Sequence, residues 1–241
     1  MDEPILQVDR LSKHYGGIAA NDGVTFAIQP GEIFGVLGPN GAGKTTLFNL
    51  VSGFEKPDSG TVRFRGNDVT GLRPDRLNRI GIARTFQILK PFPRMTVEEN
   101  VMVGALAHCA GVTEAREFAA HCVHLVGLDH KRLALGRELS TGQRKRLEMA
   151  RAMATRPGIL LLDEVTGGVD LPSIAGLIEL VGKLQSEGVT LLIIEHNMRV
   201  IMELANRVMF MHMGKPVTQG LPADVARHPD VVGLYLGSAH A

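Results

Sequence analysis

The sequence holds no apolar run of the roughly 18 residues needed to cross a bilayer. Its start, Met1-Asp2-Glu3-Pro4, lacks the basic-then-apolar pattern of a secretory signal. Together these absences predict a chain that stays in the cytosol. Neither sign of charge is in excess: 26 Lys and Arg face 25 Asp and Glu, a formal net charge of +1. The global field therefore steers the protein to neither nucleic acid nor an acidic surface, and a specific site must carry the function. Cysteine is scarce, with Cys109 and Cys122 alone, so reduced thiols are expected rather than a disulfide framework. Internal repeats, low-complexity tracts and long linkers are missing too. A length of 241 residues suits one large or one and a half average domains, with no room expected for an added regulatory domain.

What is there begins with alternation. ILQVDRL, VTFAIQ and TVRFRG alternate apolar and polar residues, as half-buried antiparallel strands do. EIFGVLG (32–38), ILLLD (159–163) and TLLIIE (190–195) are instead continuously apolar, the pattern of parallel strands covered on both faces. Helical patterns lie between or after them, over Lys44 to about Ser52, Leu171 to Ser186 and Met198 to about Asn206. Strand, helix, strand in repetition predicts an α/β core with a mostly parallel sheet. From Gln87 to Arg156 the strand signal disappears, while TVEENVMVGAL, AREFAAHCVHLVGL and the segment after LSTGQ show helical spacing. The expected organisation is thus a single domain. Residues 1–86 and 157–241 supply the α/β core with its antiparallel β part, and about 87–156 form a helical insert. The tail returns to strand with VMFMHM and PVTQG, followed by a short helix near Pro222–Arg227.

GPNGAGKT, the run Gly38-Pro39-Asn40-Gly41-Ala42-Gly43-Lys44-Thr45, fits G-x-x-x-x-G-K-[ST] and sits between an apolar strand and a helix. Its glycines let the backbone wrap a polyphosphate, Lys44 reaches the β- and γ-phosphates, and the Thr45 hydroxyl can ligate Mg²⁺. Thr46, the next residue, belongs to the same nucleotide-binding set. ILLLDE supplies the acidic partners: Asp163 for Mg²⁺ and Glu164 as general base on an attacking water. A solvated loop start is the alternative for that acidic pair. His196 follows the strand TLLIIE, where ligands bind in parallel sheets, and could bond the γ-phosphate or orient the water. Gln87, alone, reads as surface.

LSTGQ, residues 139–143, looks like a second phosphate grip. Ser140 as N-cap with Gln143 three residues on forms a capping box. A cap alone needs no Gly142, and a glycine in the first turn lets an anion approach the N–H groups of a helix start.

Cradle, Gln87, LSTGQ, ILLLDE and His196, in this order and spacing, resemble the ATP-binding-cassette (ABC) ATPases over nearly the whole chain. The resemblance implies that two cassettes pair head to tail. Ser140, Thr141, Gly142 and Gln143 of one chain then grip the γ-phosphate of ATP held in the cradle of the other. It also implies that Tyr15 stacks on adenine, Gln87 touches Mg²⁺ and signals to a partner, His196 is the switch histidine, and Asp170 lies at the dimer interface. Three departures stand out: Val165 replaces the usual proline after Glu164, Gly167-Gly168-Val169-Asp170 replaces the commoner loop, and Thr141 replaces a glycine. The first two leave every chemical group in place and the backbone less constrained; at the third, some subfamilies accept larger residues.

A narrower resemblance, to the ATPases of branched-chain amino acid importers, rests on YGGIAANDGVTFAI, GIARTFQ, LKPFPRMTVEENV, EHNMRVIMELANRVMFM and the ending HPDVVGLYLG. Related members of that group serve urea, amides and other small solutes. The stretch from about Gly104 to Arg137 is shorter than that subgroup's. The resemblance implies ATP and Mg²⁺ as cofactors, a second ABC ATPase subunit and membrane permease subunits as partners, and a cytoplasmic position on the inner face of the membrane. The expected permease dock is the groove beside Gln87, with Ile88, Leu89, Pro91, Phe92, Met95 and Val97 as apolar surface; the alternative is that these pack the insert onto the core. Rival readings are the ATPase of lipopolysaccharide export and a soluble cassette scaffold of the iron–sulfur assembly type. The His and Cys residues at 108, 109, 121, 122, 124 and 130 match no compact zinc spacing. Arg144-Lys145-Arg146 is read as a solvated helix face rather than a nucleic-acid contact.

Overall fold

The computed structural model describes residues 3–86 and 91–236; Gln87, Ile88 and Leu89 lie outside them. Ten strands and nine α-helices are found among the described residues. Five parallel strands, β9 (Arg207–His212), β3 (Ile33–Leu37), β8 (Thr190–Ile194), β7 (Ile159–Asp163) and β6 (Ile82–Arg84), stand side by side in that order. The edge strand β10 (Lys215–Gly220) pairs antiparallel with β9. A second, antiparallel sheet has the order β2 (Ile18–Ile28), β1 (Leu6–Tyr15), β4 (Ser59–Phe64) and β5 (Asn67–Asp68).

The continuously apolar strands are explained by two separate cores. Along β7 and β8, Leu160, Leu162, Leu191 and Ile193 face one core, while Ile159, Leu161, Leu192 and Ile194 face the other. Side chains alternate across a strand, so the middle of a strand buried on both faces is apolar, and the buried polar residues Asp163 and Thr190 sit at strand ends. The second core lies between the sheets, where Phe26 stacks on Phe34 at 5.1 Å and Leu47 and Phe48 of helix α1 (Lys44–Val51) fill the space. Burying each such side chain contributes about 1.5–3 kcal/mol. On the opposite face α7 (Met198–Leu204) comes so near β3 that a Cβ on Gly35 would meet Ile201 at 3.0 Å. Helix α6 (Leu171–Ser186) follows β7 and lies in the same core through Leu177, Val181 and Leu184.

Between β6 and β7 the described residues are largely helical. Helices α3 (Val97–Ala105), α4 (Val112–Leu125) and α5 (Thr141–Met153) pack through Val101, Ala105, Ala115, Ala119, Leu147 and Ala150. Helix α3 is opened by a capping box of Thr96 and Glu99, and α5 by one of Ser140 and Gln143, as read from LSTGQ.

The two-residue strand β5 was not expected, and neither were three further elements. Helix α2 (Pro74–Ile80) begins on a proline and ends on Gly81, at φ 104°. Strand β6 is only three residues long. After α8 (Pro222–Arg227), a final helix, α9 (Pro229–Leu236), closes the chain. Two expectations are corrected. Arg144-Lys145-Arg146 is not a solvated face: Lys145 is buried, and Arg146 donates to Val126 O at 2.8 Å and Gly176 O at 2.9 Å. Val97 is fully buried in the core and cannot serve as docking surface. Both thiols are free.

Candidate functional site

The run from Gly38 to Gly43 links β3 to α1, and its glycines answer to the backbone. A Cβ on Gly38 (φ 151°) would sit 2.2 Å from Met211 O, and one on Gly43 (φ 97°) 2.1 Å from Ala20 O. Gly43→Ala is therefore expected to lose about 1–3 kcal/mol to backbone strain alone, with the overlap added; the midpoint of denaturant unfolding measures it. The start of α1 has no side-chain cap, so its N–H groups face the loop. Lys44 folds back beneath them and donates to Gly38 O at 2.6 Å and Pro39 O at 2.9 Å. Burial pushes its pKa down, and the nearby Glu164 and Asp163 pull it part of the way back.

A cavity of about 370 Å³ opens over this loop, lined by Asn40, Gly41, Ala42, Gly43, Lys44, Thr45 and Thr46 on one side and by Glu164 and Met213 on the other. Tyr15 ends β1, is 47% exposed, and donates its hydroxyl to the Glu55 carboxylate, which raises its pKa. Glu55 is steadied in turn by Asn49 Nδ2 at 2.8 Å.

Asp163, the last residue of β7, is buried, and its Oδ2 accepts from Arg84 Nη2 at 2.9 Å. Glu164 follows with φ 48°, in the left-handed region. A proline at 165 would push the preceding residue toward extended backbone; Val165, buried in the core, permits this turn. The Glu164 backbone is held on both sides, its N–H donating to Ile194 O at 3.0 Å and its carbonyl accepting from Lys145 Nζ. Its carboxylate Oε1 lies 3.9 Å from Nδ1 of His196, whose side chain is 56% exposed after β8. The structure thus brings Lys44, Thr45, Glu164 and His196 to one end of the parallel sheet.

LSTGQ stands apart from that cavity: none of residues 139–143 lines it. Ser140 Oγ accepts from Gln143 N at 3.3 Å, and Gln143 Oε1 accepts from Ser140 N at 3.0 Å. Thr141 is exposed, and a Cβ on Gly142 would meet Ser173 at 3.7 Å and Val169 at 3.9 Å, both ordinary contacts, so packing does not demand the glycine. Asp170 stands at the N-cap position of α6 without a side-chain bond to the helix backbone, accepts from Ser173 Oγ at 2.9 Å, and is exposed. Gln87 lies outside the described residues.

Sequence reasoning missed Arg84, Lys145 and Glu195. Burial lowers the pKa of Lys145, against the opposing pull of Glu195, Glu164 and Asp163. Glu195, wholly buried, accepts from both Thr166 N and Thr166 Oγ1, at 2.8 and 2.9 Å. The signal for Lys145 was its position: it shares a helical stripe with Met149 and Ala152, both buried.

The sequence profile of the ABC transporter family matches residues 21–167. Curated relatives include the high-affinity branched-chain amino acid transport ATP-binding protein BraF of Pseudomonas aeruginosa, 38% identical over 99% of this chain and 100% of its own length. Another is LivG of Escherichia coli K12, of the same description, 36% identical with the same coverage. Among solved structures, the ADP conformation of MJ1267, an ATP-binding cassette of an ABC transporter, superposes with a TM-score of 0.89. It is 31% identical, over 98% of this chain and all of the other. A dimeric cassette, MJ0796, gives 0.80 at 28% identity over 90% and 98% of the two chains. With a phosphate loop, an acidic pair and a histidine gathered at one sheet end, and with these relatives along its length, the chain belongs to the ATP-binding, ATP-hydrolysing subunits of the ABC transporter family.

Proposed function

We propose that this ATPase powers an importer for branched-chain or related small amino acids, working as a pair of cassettes beneath membrane permease subunits. The observation that carries the pairing is the split between cavity and LSTGQ. Lys44, Thr45 and Glu164 share one cavity, whereas the helix start at Ser140 does not line it and keeps a glycine that packing does not require. A head-to-tail partner is the arrangement that gives each half a use. The relatives' names support the solute class.

In this reading ATP lies on the N–H groups of residues 38–46, with Lys44 on its β- and γ-phosphates and Tyr15 against its base. Glu164 takes the proton of the attacking water, and His196 beside it fixes the water's orientation. Thr45 and Asp163 are hard oxygen donors of the kind Mg²⁺ takes, and they border the same groove. The ion would neutralise charge on the β- and γ-phosphates. Gln87 is retained as the residue between this site and the permease. No helix among the described residues is long and apolar enough to cross a membrane, so a permease must supply the channel. Its segment would enter that same groove, about 620 Å³ between β6, α3 and α5, along the part bordered by Phe86, Val103 and Arg151. Phe92 stands at 40% exposure beneath the Arg151 guanidinium, 5.0 Å from its ring centre.

Ser140→Ala tests the pairing. Loss of the cap costs about 1 kcal/mol of stability, and in the hydrolysis-blocked Glu164→Gln background ATP-driven dimerisation in gel filtration is expected to disappear with it. A destabilised variant that still dimerises with ATP would reduce LSTGQ to a helix cap. Reconstitution with the permease subunits, followed by uptake of leucine, isoleucine or valine into vesicles, tests the solute.

A further inference from the structure

Asp163 reaches its post already in the grip of a cation. Arg84 Nη2 donates to its Oδ2 at 2.9 Å, with the two side chains 8% and 6% exposed. No hydrogen bond to Oδ1 is seen among the described residues. The guanidinium does not depend on Asp163 for its place. Its Nη1 donates to Asn49 Oδ1 at 2.7 Å and to Ser52 Oγ at 3.0 Å, both on or next to α1, the helix that carries the phosphate loop. Three rings box it in, with Phe48, Phe54 and Phe86 centred 5.5, 5.7 and 5.4 Å from its central carbon. Its Nε is buried without a hydrogen bond among the described residues. An arginine fixed by its own anchors does not follow a carboxylate that turns away. Thr45, Arg84 and Asp163 all border one groove.

We propose that Arg84 is a positioning residue that competes with the divalent ion for Asp163 and so sets how tightly the ATP site holds that ion. The inference rests on the reading of Asp163 as the carboxylate on the metal side. Arg84 keeps a buried carboxylate paired and aimed; without it the charge would be uncompensated. When a divalent ion arrives, it meets a second positive charge fixed nearby, and the repulsion is felt strongly in a site shielded from water. Arg84 therefore lowers affinity for the metal, an arrangement that favours release of the metal with the spent nucleotide. Arg84 also borders the proposed permease groove itself.

Mn²⁺ binding at saturating ADP, followed by electron paramagnetic resonance, separates the parts without turnover. Asp163→Asn is expected to lose the bound Mn²⁺; unchanged binding would remove Asp163 from the metal and the inference with it. Arg84→Gln is expected to bind Mn²⁺ more tightly, on the order of tenfold, and to melt lower than wild type without metal. Mn²⁺ with ADP should raise its melting point by more than it raises the wild type's. Unchanged or weaker Mn²⁺ binding in Arg84→Gln, with Asp163→Asn defective, would overturn the role of Arg84 alone. Should Arg84→Gln not fold, arginine side-chain ¹⁵N resonances of the wild type decide. The signal absent from Arg84→Lys is expected to move when Mg²⁺ is added to the ADP complex, and a signal that stays still refutes the competition.

Discussion

Glu164→Gln is expected to bind ATP normally and hydrolyse it ~10²–10⁴-fold more slowly, the range for loss of a general base. The amide keeps the shape of the side chain and cannot take a proton from water. Because the backbone of Glu164 is held through its own N–H and carbonyl, by Ile194 O and Lys145, the substitution should leave the turn intact. Binding and chemistry are therefore separable at this position. With hydrolysis blocked, the paired form should accumulate, and gel filtration with ATP should show a dimer that wild type shows only transiently. A monomer peak under those conditions would contradict the head-to-tail arrangement, while near-normal turnover would remove Glu164 from the chemistry.

The second large effect is expected of Lys44→Ala. A hydrogen bond to a charged group contributes ~1.5–3 kcal/mol, so losing the ammonium should weaken ATP binding ~10–100-fold, read by equilibrium titration with a fluorescent nucleotide. The ammonium is also part of the loop's own architecture, tying Gly38 O and Pro39 O together at 2.6 and 2.9 Å. Two carbonyls would then be left without their buried donor, so the variant should also unfold at lower denaturant. Lys44→Arg separates the two roles, because it keeps the charge in a shape the cradle cannot close around. An alanine variant that binds ATP as tightly as wild type would show that the backbone N–H groups alone hold the phosphates.

The parts of this molecule that were legible in the sequence are those governed by short-range rules. Three continuously apolar runs announce strands covered on both faces, and the loop between Leu37 and Lys44 is a contiguous pattern whose chemistry can be read residue by residue. The capping box at Ser140 and Gln143 needs only three residues of separation, and the structure contains it. Strand β6, three residues long, is too short to show a period. Helix α2 buries only Leu77, so its apolar stripe is nearly absent, although Pro74 and Gly81 mark its ends. Arg84 and Asp163 are 79 residues apart, and nothing local to either announces the other. Lys145 was misread for a different reason: a basic triplet on a helix reads as solvated by composition, yet the stripe it occupies runs into the core. Charge won in the reading, and geometry won in the fold.

The strands that serve two interiors at once also constrain how such a chain can change in length. Dropping one residue from β7 or β8 would exchange every side chain beyond the deletion between the two compartments, sending a face shaped for α6 and α7 into one shaped for Phe34 and Phe48. Shortening or lengthening must therefore be absorbed in connections such as residues 106–111, between α3 and α4, where no element is read on both sides. Natural variation in size among such chains should cluster in those links and spare the central ribbon.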